Sequence, residues 1–238
     1  MKPDEPRDYP AYRERLLEEQ RGALRGLEFP WSVPAGIRAK VAEDGRLLPF
    51  FGDTVVFRLG DRDREWLAAL RDRLVDGLEG LFAEPLDPRE FHLTLHDLSS
   101  GSVRGELPLE ANQERCRSIL AGLQPGTRVE MEATTVFPCL NISVLVGFCP
   151  ASEADYRLLT AWHRAFDPVV ELGYWLRPHV TLAYFRPRAL SAGEVERLSE
   201  RLAGFEVGGR RLNLQRSLLE YQHFLDMNRY QSPFSRKA

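Results

Sequence analysis

The sequence predicts an α+β fold: two pseudo-symmetric, mainly antiparallel sheet lobes with helices outside and a central cleft between them. Three observations predict it. The chain carries two strand-like runs with one shared core, His92-Leu93-Thr94-Leu95 and His179-Val180-Thr181-Leu182. Each follows another strand-like run at the same distance: Val55 to His92 is 37 residues (92 − 55), and Ile142 to His179 is also 37 (179 − 142). Each interval encloses one amphipathic helical segment. A strand, a helix and a second strand repeated at one spacing indicate an internal duplication, and a duplication places its equivalent points on two facing lobes.

Residues 1–50 read as an extension packed on the core. Tyr12 to Leu27 has helical spacing, with Leu16, Leu17, Ala23, Leu24 and Leu27 among Arg and Glu. Pro30 and Pro34 break it, and Phe29, Trp31 and Val33 are placed to pack on the main body. Ile37 to Phe51, with Lys40, Asp44-Gly45 and Pro49, is a turn-rich lead-in. Residues 51–238 form the domain proper, with repeats at about 52–137 and 140–220 and a C-terminal tail.

Within the first repeat, Thr54 to Leu59 is a strand. Asp63 to Phe82 is a helix, with Trp66, Leu67, Leu70, Leu74, Leu78 and Leu81 at three- and four-residue steps. The first His strand follows, then a helix over Leu107 to Leu123 and a strand over Arg128 to Val136. The second repeat offers a strand at Asn141 to Phe148 and a helix at Ser152 to Phe166 with Ser152 as its cap. After the second His strand come a helix at Ser191 to Leu202, opened by a Ser191-x-x-Glu194 capping box, and strand-like residues near Arg211 to Glu220.

Composition narrows the function. The 238 residues include 43% hydrophobic and 28% charged residues, the profile of a globular protein with a sizeable core. A net charge of −3 excludes a broadly basic nucleic-acid binder but leaves room for a local basic cleft. Cys116, Cys139 and Cys149 have neither CxxC nor zinc-finger spacing, and read as reduced thiols. No apolar run is long enough to span a membrane. A cytoplasmic monomer without a membrane partner is the expectation.

Strand side chains alternate faces, so His92 shares a face with Thr94, and His179 with Thr181. Two imidazoles can move protons near neutrality, and two hydroxyls can hold an anion. His96, with Ala183 as its counterpart in the second repeat, falls on the face of His92 by the same parity, placed either to line the cleft or to serve as a hydrogen-bonded neighbour with no catalytic part. Phe185 shares the parity of His179, which allows stacking on a base as well as burial, while Tyr184 points to the packing side. Arg177 is placed either to meet a phosphate or to lie in solvent before Pro178. Tyr221 and Tyr230 in the tail are candidates to close over the site. His163 and His223 lack a Thr partner and read as structural.

The two His-x-Thr-x motifs, with Arg177-Pro178 before the second, resemble the signature of the 2H phosphoesterase superfamily over roughly residues 50–220. That superfamily includes 2′,3′-cyclic nucleotide phosphodiesterases and the bacterial proteins once called 2′-5′ RNA ligases. Residues 1–50 and the segment Leu219 to Tyr230 resemble an uncharacterised bacterial branch of it. The resemblance implies a bilobal 2H phosphoesterase-like fold and a metal-independent, cofactor-free phosphodiesterase. Its substrate would be a 2′,3′-cyclic phosphate or a 2′-5′-type linkage in an RNA terminus or small nucleotide. His92 and His179 would be the acid and base, with Thr94 and Thr181 on the non-bridging oxygens. Substrate contacts are expected from His96, Arg177, Phe185 and Tyr221. Ligation by the same groups in reverse, and nucleotide binding without turnover, are the alternatives.

Overall fold

The computed structural model describes residues 5–234. The extension begins with helix α1 (Tyr9–Arg25), entered through Asp8, whose carboxylate accepts from the backbone N–H of Ala11 at 2.9 Å. A single helical turn, α2 (Ala35–Arg38), follows. Both belong to the body of the molecule. Tyr12 and Leu16 of α1 bury against Cys149 and Trp175, while Trp31, Ile37 and Val41 enter the main core.

The first His unit is β1 (Phe51–Arg58), α3 (Asp61–Val75) and β2 (His92–Gly101). Helix α3 stops seven residues short of Phe82, because Asp76 turns out of helical geometry and Gly77 sits at φ +70°, a conformation that favours glycine. A short 3-10 turn, Glu79–Leu81, carries the remaining leucines into the core. Then come α4 (Leu109–Gly122) and β3 (Arg128–Cys139).

The second unit is β4 (Ser143–Pro150), α5 (Glu153–Ala165) and β5 (His179–Tyr184). Ser152 caps α5, and the Ser191–Glu194 capping box opens α6 (Ala192–Ala203), as their sequences predict. The strand-like run after α6 is two strands, β6 (Arg211–Gln215) and β7 (Leu219–Asp226), parted by a 3-10 turn; β8 (Arg229–Gln231) is the last described strand.

Two four-stranded antiparallel sheets result, ordered β2-β1-β7-β8 and β5-β4-β3-β6. The α+β, two-sheet architecture is the one the sequence predicts. Its strand exchange is not: β3 follows the first unit in the chain but pairs with β4, and β7 follows the second unit but pairs with β1. The equal spacing also does not carry through to pairing. Arg58 faces His92, 34 residues away (92 − 58), whereas Gly147 faces His179, 32 away (179 − 147). Both His strands lie at the edge of their sheets.

Candidate functional site

A cleft of about 460 Å³ is lined by His92 and Thr94 from β2 and by His179 and Thr181 from β5. The alternation of strand side chains brings these four together, since Leu93, Leu95, Val180 and Leu182 are buried on the opposite face.

The two histidines are held in the same way. His92 Nδ1 lies 2.7 Å from the carbonyl oxygen of Glu90, and His179 Nδ1 lies 2.8 Å from that of Arg177. A carbonyl oxygen only accepts, so Nδ1 carries the proton in each ring and Nε2 is left for chemistry in the cleft. The ring of Tyr230 covers His92, with centroids 4.6 Å apart. Burial, above all, pushes the His92 imidazole down to about pKa 4; the Glu90 carbonyl opposes this and the proximity of His179 adds to it. His92 is therefore neutral at ordinary pH.

Beyond these motifs, both His strands deviate from regular alternation at the same place. In β2, Thr94 faces Val56 and His96 faces Val55, leaving Leu95 as an extra residue. In β5, Thr181 faces Leu145 and Ala183 faces Val144, leaving Leu182. A bulge of this kind reverses the faces of everything after it. The cleft-side placing of His96 and the packing-side placing of Tyr184 are corrected as a result, and of the two readings of Phe185 it is burial that holds. His96 turns away from the cleft and is buried, 1% exposed. Asp97 takes its place and lines the cleft. Tyr184 lines the cleft, and Phe185 instead packs in the core, its ring centroid 5.2 Å from Phe82 and 5.0 Å from Trp31.

Arg177 and Tyr221 also lie outside the cleft lining. Arg177 is clamped by Glu19 of α1, at 2.6 and 3.2 Å, and its guanidinium lies over Trp175. Tyr221 is fully buried, its hydroxyl 2.9 Å from both Asp53 Oδ2 and the Leu109 carbonyl oxygen and 2.8 Å from His223 Nε2. It ties β7 to β1 and α4. Of the two tail tyrosines, only Tyr230 reaches the cleft.

Lys40, from the lead-in before β1, supplies a cation to the cleft that neither motif announces. Its ammonium lies 5.0 Å from the ring centroid of Phe50 and 5.7 Å from that of Tyr184. Burial lowers its pKa, and Asp97 works against that. Asp97 accepts a 2.6 Å hydrogen bond from the hydroxyl of Tyr174, itself 43% exposed. A lysine in a turn-rich stretch carries no local signal of this placement, and neither does a tyrosine in the loop before β5. The cleft thus brings the two imidazoles and the two threonine hydroxyls together with a half-buried ammonium, that of Lys40, and with the carboxylate of Asp97.

No known family profile matches the chain, and no curated protein does. Among solved structures, the chain resembles a conserved Agrobacterium tumefaciens protein of unknown function, with a TM-score of 0.62 at 19% identity, over 88% of this chain and 96% of that one. It is less similar to the Thermus thermophilus protein TT0787, with a TM-score of 0.46 at 18% identity over 76% and 94% of the two chains. Escherichia coli LigT complexed with 3′-AMP gives 0.42 at 15% identity over 77% and 95%. At 19% identity the first of these likenesses is one of fold. No described helix is long and apolar enough to cross a membrane.

Proposed function

We propose that the protein is a 2H phosphoesterase that hydrolyses a 2′,3′-cyclic phosphate or a 2′-5′-type phosphodiester at an RNA terminus or in a small nucleotide. The observation that carries this reading is the matched pair of imidazoles. Each donates Nδ1–H to the carbonyl two residues before it, and each shares the cleft with the threonine two residues after it. Binding alone has no need of two oriented proton carriers.

The depressed pKa of His92 favours it as the base. His92 Nε2 takes a proton from water as the water oxygen bonds to phosphorus. His179, protonated, gives its Nε2 proton to the ribose oxygen as the P–O bond breaks. Thr94 and Thr181 donate to the non-bridging oxygens, whose charge rises in the transition state, and Lys40 adds a positive charge in the same cleft. A cleft of about 460 Å³ has the size of a small-ligand site.

The test is a turnover panel without added metal: the four nucleoside 2′,3′-cyclic phosphates, 2′-5′- and 3′-5′-linked dinucleotides, and cyclic dinucleotides. Each is run beside His92→Ala/His179→Ala. Turnover of at least one phosphodiester, lost in the double variant, is expected. Nucleotide binding without any turnover would replace the proposal with a binding module.

A further inference from the structure

The two imidazoles of the cleft are anchored alike and supported differently. The carbonyl that orients His92 belongs to a turn that holds itself. Glu90 N–H donates to the Asp87 carbonyl oxygen at 2.9 Å, and the Asp87 carboxylate accepts from Arg89 N–H at 2.8 Å. The carbonyl that orients His179 belongs to the irregular segment 171–178 between α5 and β5. Among the described residues, no backbone–backbone hydrogen bond involves residues 173–177. Backbone pairing therefore does not fix the course of this segment. Yet it carries Tyr174, whose hydroxyl meets Asp97, and the Arg177 carbonyl that holds His179.

Helix α1 supplies the missing support. Tyr12 donates its hydroxyl to the Leu176 carbonyl oxygen at 3.1 Å, and its ring meets Trp175 edge-on with centroids 5.2 Å apart. Two turns further along the same helix face, Glu19 takes the Arg177 guanidinium at 2.6 and 3.2 Å. That guanidinium lies 4.3 Å from the ring centroid of Trp175. The helix is itself seated on the second sheet. The Tyr9 hydroxyl donates to the Pro150 carbonyl oxygen at 2.6 Å. Buried Gln20 presses on Gly147, the residue of β4 that faces His179, and a Cβ there would collide with the side chains of Gln20 and Thr134. Helix α1 thus braces the segment against the strand that pairs with β5.

We infer that Tyr12 and Glu19 are positioning residues for His179: through Leu176 and Arg177 they hold in place the carbonyl that fixes the tautomer and direction of its ring. This rests on the proposed role of His179 as the acid. Neither residue lines the cleft. A fixed carbonyl oxygen keeps a proton on Nδ1 and leaves Nε2 aimed into the cleft. A carbonyl free to move lets the ring turn and its tautomers exchange, and a misdirected proton donor costs more in rate than in binding. His92 relies on its own turn for this, and His179 on the extension.

The experiment compares the full-length wild type with Glu19→Ala and with Tyr12→Phe/Glu19→Ala, the fold of each verified by circular dichroism. Histidine ring-nitrogen NMR at alkaline pH, where imidazoles are neutral, reads the tautomer of each ring. Spectra of His92→Ala and His179→Ala assign the signals. The wild type should show the Nδ1–H tautomer for both rings; in the variants His179 should become a mixture and His92 should not change. Turnover of whichever phosphodiester the panel identifies should fall roughly 10- to 100-fold in kcat, with KM held within about twofold. Glu19→Gln, which still reaches the guanidinium, should recover most of that loss. Half-buried Glu19 carries the comparison alone if the double variant does not fold. An unchanged His179 tautomer or an unchanged kcat in the folded variants overturns the inference. So does an equal change in both rings, the mark of general loosening. A wild type that turns over nothing defeats the proposed function, and the tautomer comparison then decides the positioning by itself.

Discussion

The two histidine strands share a backbone plan and differ in what it delivers. Both β2 and β5 run His-apolar-Thr-apolar, bulge at the next step, and return a side chain to the cleft just after it. On β2 that side chain is Asp97, hydrogen-bonded to Tyr174; on β5 it is Tyr184, whose hydroxyl donates to the sulfur of Met227 at 3.1 Å. The residues turned to the back differ as well: a hydrogen-bonded His96 on one strand, a small Ala183 on the other. Symmetry is kept where protons are to be moved and abandoned one residue beyond. The duplicated part carries the proposed chemistry; the divergent part differs on both faces of the strands.

The largest effect should come from breaking the symmetric pair. His92→Ala and His179→Ala are each expected to lower kcat by about 10²- to 10⁴-fold, the usual worth of a positioned acid or base. Stopped turnover on a cyclic phosphate measures this, and a loss confined to one of the two would contradict paired roles. Thr94→Val and Thr181→Val come next, each on the order of 100-fold in kcat with little change in KM, because the hydroxyls support charge that develops in the transition state. Unequal losses would show that the two strands have diverged within the motif as well as after it.

A change outside the pair should touch stability and spare chemistry. Tyr221→Phe removes a buried hydroxyl from Asp53 and is expected to cost about 1–3 kcal/mol in denaturant unfolding. Turnover at 25 °C should be unchanged, and a large kcat effect would return Tyr221 to the site. The mildest test is pH. The His92 pKa in the folded chain lies near 4, below its ordinary value of about 6.5. The stability gained by keeping His92 neutral is therefore complete above pH 6.5 and is lost as the pH falls towards 4. If His92 is the base, the acid limb of kcat/KM falls near pH 4; a limb at 6.5 assigns that role elsewhere.

Much of this arrangement is legible in the sequence, because it depends on local period. His92 with Thr94, and His179 with Thr181, follow from strand alternation, and α5 and α6 from their caps. What local period cannot supply is register. Leu95 and Leu182 become bulge residues only through pairing with β1 and β4, and from there on alternation assigns His96, Asp97, Tyr184 and Phe185 to the wrong faces. Nor does a local pattern reveal that β7 returns to β1, which buries Tyr221, or that the lead-in brings Lys40 to the cleft. Arg177 illustrates a third limit. An arginine before a histidine strand is equally suited to a phosphate and to a carboxylate, and here Glu19, 158 residues away, holds it.

The strand exchange between the halves bears on how such a chain could be assembled. Each sheet borrows from the other half: β7 and β8 complete the sheet of β1 and β2, and β3 joins β4, β5 and β6 in the other. A half-length polypeptide on this plan, with its third strand committed to the other sheet, would be left with an open sheet edge. It could close that edge only by trading a strand with a second copy, as domain-swapped dimers do. Joining the two halves in one chain turns that trade into an internal one, so the two histidines meet at any protein concentration.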